Sequence, residues 1–192
     1  MQNLLPKIYH YINNCNLTEL SKLSNNINLI YRNYDKRCKI DSIINLRDFC
    51  RKNKRKLFLS NNIELALSLK LDGVYIPSFN KRVNYSYINN KPKSFKVIGS
   101  AHSIQEILLK EKQGCEEIFV SPIFKTHKSK KFLGIIKFNL IANNSRKRII
   151  ALGGINSKNY KRLKSTKSIG FASIDWIKKN GPRDYLGPFY KV

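Results

Sequence analysis

Short runs of apolar, β-branched and aromatic residues recur along the whole chain, each closed by turn-forming residues. They predict eight strands, at 7–13 (KIYHYIN), 27–32 (INLIYR), 56–60 (KLFLS), 73–77 (GVYIP), 96–101 (KVIGSA), 117–122 (EIFVSP), 148–153 (RIIALG) and 169–174 (IGFASI). The runs are nearly continuous in apolar character rather than alternating. A parallel strand covered on both faces reads this way.

Helical patterns lie between them. Asn62 to Leu71 places Ile63, Ala66, Leu67 and Leu71 on one face. Ser103 to Gly114 opens with a serine, has Glu106 three residues later and stops at glycine, which is a capping box with a glycine stop. Ser157 to Ser165 follows a Gly-Gly turn, with Ser157 at the expected N-cap. Strand then helix, repeated with short loops, implies a parallel sheet with right-handed crossovers. Eight strands let the sheet close, so the expected fold is α/β, a single (β/α)8 TIM barrel over residues 1–192. An open doubly wound sheet is the alternative. Residues 78–95 are polar and read as a long loop with poor helix. A basic tail over about 178–192 carries Gly and Pro and reads as loosely packed.

Composition narrows the picture. At 192 residues and 42% hydrophobic, the chain can bury a core, despite its charge. No apolar run approaches the roughly 18 residues of a membrane span. The N-terminus MQNLLPKIYHYINN has neither a basic leader nor a cleavage site, so no signal peptide is expected. Cys15, Cys38, Cys50 and Cys115 form no C-x-x-C pair. Reduced thiols in a cytoplasmic protein are the expectation. The net charge of +25 points toward anionic partners. The joint excess of Lys, Asn, Ile and Tyr, all A/T-rich codons, accounts for much of it without a partner. No recognisable nucleic-acid motif supports a nucleic-acid partner, which ranks last.

In such a barrel, ligands bind where strands end. The expected seventh strand ends Ala151-Leu152-Gly153-Gly154-Ile155-Asn156, a turn that lets backbone approach an anion, followed by a helix start that offers free N–H groups. The eighth ends Phe171-Ala172-Ser173-Ile174. The sixth runs into Ser121-Pro122-Ile123-Phe124-Lys125-Thr126-His127-Lys128-Ser129-Lys130-Lys131, which is either a di- or triphosphate clamp or a solvated basic loop. The fifth places Ser100 and His102 at or just above the mouth, with His102 an acid/base candidate or simply a helix cap. Arg32 ends the second strand, where its planar fork suits phosphate. Tyr31 and Tyr75 are stacking candidates or packing residues.

These strand ends, in order from about Ile27 to Ile177, resemble the thiamine phosphate synthase/TenI family. The segment KLFLSNNIELALSLKLDGVYIPS resembles its strand three to strand four. IGSAHS resembles its strand-five motif, SPIFKT is similar to its G-P-V-F-x-T segment, and IALGGI closely matches its phosphate-binding turn. Family enzymes join a pyrimidine pyrophosphate to a thiazole phosphate, releasing pyrophosphate and forming thiamine phosphate. The resemblance implies small phosphorylated thiamine precursors as partners and no membrane; association of copies of the chain is left open. It implies phosphate contacts from Gly153, Gly154 and Ile155, and roles around the pyrophosphate and pyrimidine for Arg32, Ser100 and Thr126; the end of the eighth strand adds Ser173 to the expected phosphate set, and the basic loop adds Lys128 and Lys130 to the expected catalytic set.

Departures accompany the match. The family's two Mg²⁺-binding aspartates read Asn61 and Asn80, and neutral amides are poor replacements for carboxylates on Mg²⁺. No metal ligand is therefore assigned, and Mg²⁺ is left open as a cofactor without the family's usual carboxylates. Other family positions read Ser60, Ile30, Ser129 and Asp175. The I-P-S after strand four resembles the TenI branch, but the histidine its tautomerases use after strand six reads Pro122. The expected activity is synthase-like transfer, with lysines offsetting the missing metal. The alternatives are a TenI-like tautomerase and a non-catalytic binder of a thiamine-phosphate-type ligand.

Overall fold

The computed structural model describes residues 6–32, 39–83, 85–127 and 129–180. Eight parallel strands close into a barrel in sequence order: β1 (Lys7–Ile12), β2 (Ile27–Tyr31), β3 (Leu57–Ser60), β4 (Gly73–Ile76), β5 (Lys96–Ala101), β6 (Glu117–Val120), β7 (Arg148–Leu152) and β8 (Gly170–Ser173). The closing pair sets Lys7 opposite Gly170 and His10 opposite Ser173. All eight expected strands are present and the sheet is closed, so the open-sheet alternative falls away.

The outer layer contains α1 (Leu17–Ser21), α2 (Ile40–Lys52), α3 (Ile63–Ser68), α4 (Tyr85–Asn90), α5 (Ile104–Lys112), α6 (Gly134–Ala142) and α7 (Asp175–Asn180). Local chemistry sets their starts. Asn16, Asn62 and Ser103 each accept a backbone N–H three residues on, which satisfies a donor the helix itself cannot use. Glu106 also reaches back past the cap, accepting the His102 N–H at 2.8 Å. Two expectations are corrected. Residues 157–165 form a turn and then a 3-10 helix, Tyr160–Ser165, not an α-helix from Ser157. The 78–95 segment contains the short helix α4. Of the expected tail, residues 181–192 lie outside the described residues.

Strand alternation sorts the side chains into two cores. Tyr9, Tyr11, Ile30, Phe58, Tyr75, Ile98, Phe119, Ile150 and Ala172 fill the barrel interior. Their intervening neighbours, among them Ile8, Leu29, Tyr31 and Val120, pack outward against the helices. Each fully buried Phe removes enough apolar surface to stabilise the fold by about 1.5–3 kcal/mol. Inside, Tyr9, Tyr75 and Tyr11 meet Phe119 edge-on at 5.0, 5.8 and 6.2 Å between centroids. At the floor, Glu117 is wholly buried, accepts the Tyr9 hydroxyl at 2.5 Å and pairs with Lys7. Burial and that carboxylate push the Tyr9 hydroxyl far above the usual phenol range. No helix among the described residues is long and apolar enough to cross a membrane.

Candidate functional site

The same alternation identifies what lines the mouth. Arg32 is two residues past Ile30, which faces the interior, and its guanidinium carbon lies 4.4 Å from the centre of the Tyr11 ring. Its Nε is buried with no hydrogen-bond partner among the described residues. A buried donor without an acceptor is uncommon and calls for an explanation, and a ligand oxygen would provide one. Ser100, two residues past the interior Ile98, is buried at the mouth.

The turn after β7 has the geometry that its glycines imply. Gly153 and Gly154 adopt φ of +94° and +70°. A Cβ on Gly153 would lie 2.8 Å from Pro122, and one on Gly154 would lie 2.4 Å from the Lys125 carbonyl oxygen. Both positions therefore require glycine for conformation and for space. The loop after β6 is stitched to this turn, with Ile123 N donating to Leu152 O at 2.9 Å and Phe124 N to Gly153 O at 3.1 Å. Among the described residues no protein acceptor takes the Gly154 or Ile155 N–H. The expected helix-start donors are different. The Asn156 and Lys158 N–H groups are spent on the side chains of Asn159 and Asn156, at 2.9 Å each. The N–H groups left open at this strand end are therefore those of the glycine turn, not those of a helix N-terminus. Ser173, expected beside it, is buried and donates its hydroxyl to Ile155 O at 3.2 Å, which braces the turn from the outer layer.

In the basic loop, Thr126 closes a tight turn by accepting Ser129 N at 3.0 Å and donating its own N–H to Ser129 O at 3.3 Å. Lys125 and Lys130 are exposed. Lys128 lies outside the described residues. Arg162 sits over the Phe124 ring at 5.3 Å, holding this loop near the turn after β7.

His102 spans the top of β5. Its Nδ1 lies 2.8 Å from Ser121 O and its Nε2 lies 3.1 Å from Ser78 Oγ. It thus links the ends of β4 and β6. Burial pushes the neighbouring Glu106 carboxyl up, but hydrogen bonds from Lys81 and the His102 N–H outweigh this and leave it below its ordinary value. Tyr31 faces the helices and Tyr75 lies in the interior stack, so both are packing residues.

The ends of β3 and β4 meet through Asn61 and Asn80. Asn61 takes a left-handed backbone, φ +61°, and donates its N–H to Tyr75 O at 2.8 Å. Asn80 Nδ2 donates to Asn61 Oδ1 at 2.7 Å, and Asn80 Oδ1 accepts the Arg82 N–H at 2.9 Å. Beneath this corner lie two residues the sequence reading missed, Lys110 and Gln113, both buried. A lysine in a helix pattern reads as solvated, and nothing local marks it as buried.

With that geometry in place, the chain can be set beside known proteins. Residues 22–177 match the family model described as thiamine monophosphate synthase. The chain belongs to this family. It is similar to a protein of Aquifex aeolicus named for thiamine-phosphate synthase, at 31% identity over 137 residues, 67% of this chain and 69% of that one. It is similar to the thiamine-phosphate synthase of Prochlorococcus marinus subsp. pastoris at 30% identity over 64% of this chain, but spans only 35% of that longer protein. The solved thiamine phosphate pyrophosphorylase of Pyrococcus furiosus superposes with a TM-score of 0.71 at 18% identity, covering 95% of this chain and 91% of its own, a likeness of fold.

The family's Mg²⁺ can be tested against the residues present. Among the described residues no group of three or more His, Cys, Asp or Glu could hold a metal ion. Asn61 and Asn80, the amides expected at the family's carboxylate positions, are joined by a single hydrogen bond. Mg²⁺ selects anionic oxygens in octahedral array, and this donor set does not fit it.

Proposed function

We propose that this chain is a transferase of the thiamine-phosphate synthase type, joining a pyrimidine pyrophosphate to a thiazole phosphate, with a metal site that has diverged. The observation that carries the reading is the glycine turn after β7, whose Gly154 and Ile155 N–H groups have no protein acceptor among the described residues, in a barrel that also carries at its mouth Arg32, whose Nε has no hydrogen-bond partner among those residues. Backbone donors of this kind suit a phosphate monoester. Arg32, Ser100 and Thr126 orient the pyrophosphate, and Lys125, Lys128 and Lys130 screen the charge that builds on it as it departs with the bonding pair. Ser173 acts through the turn that it braces. His102, with both ring nitrogens in hydrogen-bond range of partners, positions Ser78 and Ser121. The cytoplasm is the proposed setting; among the described residues Cys50 and Cys115 are free thiols. Residues 1–192 act as one barrel domain.

The Asn61–Asn80 bond favours a second reading, a binder of the same phosphorylated ligand without turnover. One experiment separates the two. Purified protein is given both precursors, with and without Mg²⁺, and thiamine phosphate and pyrophosphate are measured. Formation of both products in equal amounts supports the transferase. Saturable binding without product supports the binder. Neither binding nor product removes both.

A further inference from the structure

Lys110 is fully buried on α5, with no carboxylate in hydrogen-bond contact among the described residues. Its stem crosses β5 at Gly99, where a Cβ would lie 3.0 Å from Lys110 Cδ and 2.9 Å from Cys115 Sγ, so the strand is bare where the lysine passes. The ammonium then meets three oxygens: Pro77 O at 2.8 Å, Asn80 O at 3.0 Å and Gln113 Oε1 at 2.8 Å. All three of its donors are used. Gln113 extends the grip, donating to Asn80 O at 3.0 Å and Arg82 O at 2.7 Å. The 77–82 loop is therefore drawn onto a cation from below by two of its own carbonyls, much as a loop is drawn onto a bound metal ion. Its Asn80 amide is then delivered to Asn61 from above.

We propose that Lys110 is a positioning residue that acts as a built-in cation for the β3–β4 corner, so that the rim of the mouth is organised without a divalent ion. The inference deepens the reading of the mouth as a phosphate site, but the corner can be tested with no phosphate present. The other titratable groups around Lys110 are Lys81 and Glu106, paired with each other at 2.8 Å, and the Cys115 thiol, which burial pushes up to about 12 and so keeps neutral. Among the described residues no neighbouring thiolate or unpaired carboxylate takes over the role.

Three measurements on the full chain test this. The first is a ¹H–¹⁵N correlation spectrum of lysine Nζ groups near pH 6.5. One slowly exchanging ammonium is expected in the wild type and lost in Lys110→Met; its absence from the wild type overturns the proposal. The second is the rate of trypsin cleavage at Lys81 and Arg82, read by mass spectrometry. It should rise about tenfold in Lys110→Met, because local opening is what the protease samples; an unchanged rate overturns it. The third is the melting temperature in millimolar Mg²⁺ against NaCl of equal ionic strength. The wild type should show no Mg²⁺-specific rise. Asn61→Asp and Asn80→Asp added to Lys110→Met should create one, exchanging the internal cation for an external one. A Mg²⁺-specific rise in the wild type, or none in the triple variant, overturns the proposal. These arms contain no phosphorylated ligand, so they can succeed while the transferase reading fails, and the reverse.

Discussion

The guanidinium carbon of Arg32 lies 4.4 Å from the centre of the Tyr11 ring, and its buried Nε has no acceptor among the described residues. An arginine preset by stacking loses little freedom when it meets an oxyanion. Arg32→Lys keeps the charge but not the fork. It should weaken pyrophosphate binding about 10- to 100-fold, the loss of one charge-assisted hydrogen bond of roughly 1.5–3 kcal/mol, with the melting temperature little changed. Calorimetric titration measures it, and an unchanged affinity removes Arg32 from the site.

Gly154→Ala should be among the most damaging single-methyl additions to the barrel. It requires an alanine at φ +70° and a Cβ 2.4 Å from a backbone oxygen that cannot move without breaking the stitch between the loops after β6 and β7. A loss of about 2–4 kcal/mol in urea denaturation is expected. A variant within 0.5 kcal/mol of wild type, about the scatter of neutral surface changes, would contradict the turn geometry.

The tautomer of His102 can be stated. Ser121 O can only accept, so Nδ1 carries the proton, and Nε2 of the neutral ring accepts from the Ser78 hydroxyl. Long-range ¹H–¹⁵N NMR of the neutral histidine should show the Nδ1–H form, and Ser78→Ala should leave that form in place. Observation of Nε2–H would mean that the ring does not bridge β4 and β6 as described.

Burial pulls the Lys110 ammonium down to about 8 from its ordinary 10.5. Between those values the unfolded chain binds more protons than the folded one, so this group's contribution to stability rises with pH. Below about 8 its cost is constant. The stability of the wild type minus that of Lys110→Met should therefore be flat from pH 6 to 7 and climb from about 8 upward, as read by urea titrations. A difference that falls over that interval would mean that the ammonium is better solvated than its burial indicates. The residue costs global stability while fixing a loop locally, and the two effects separate in this experiment.

Much of the fold was legible because a parallel barrel strand is buried on both faces. Runs such as Leu57–Ser60 and Glu117–Val120 carry so little polar interruption that their period hardly matters. The glycine turn was legible from its place after the seventh of eight strands, since a Gly-Gly pair by itself fits any tight turn. The element from Ser157 to Ser165 was misread. A serine after a turn looks like an N-cap, but Asn156 and Asn159 claim the local N–H groups, and only a 3-10 helix follows. Lys110 was illegible for a different reason. Its burial is decided by Gly99 on another element and by carbonyls some 30 residues away, and no window along the chain contains all three.

The edge-on stack of Tyr9, Tyr11, Tyr75 and Phe119 closes the barrel axis below the mouth. Among the described residues this layer leaves the barrel interior filled with side chains. On the transferase reading, both substrates would enter and leave by the mouth. For a two-substrate transfer, sharing it would be readable in product-inhibition patterns.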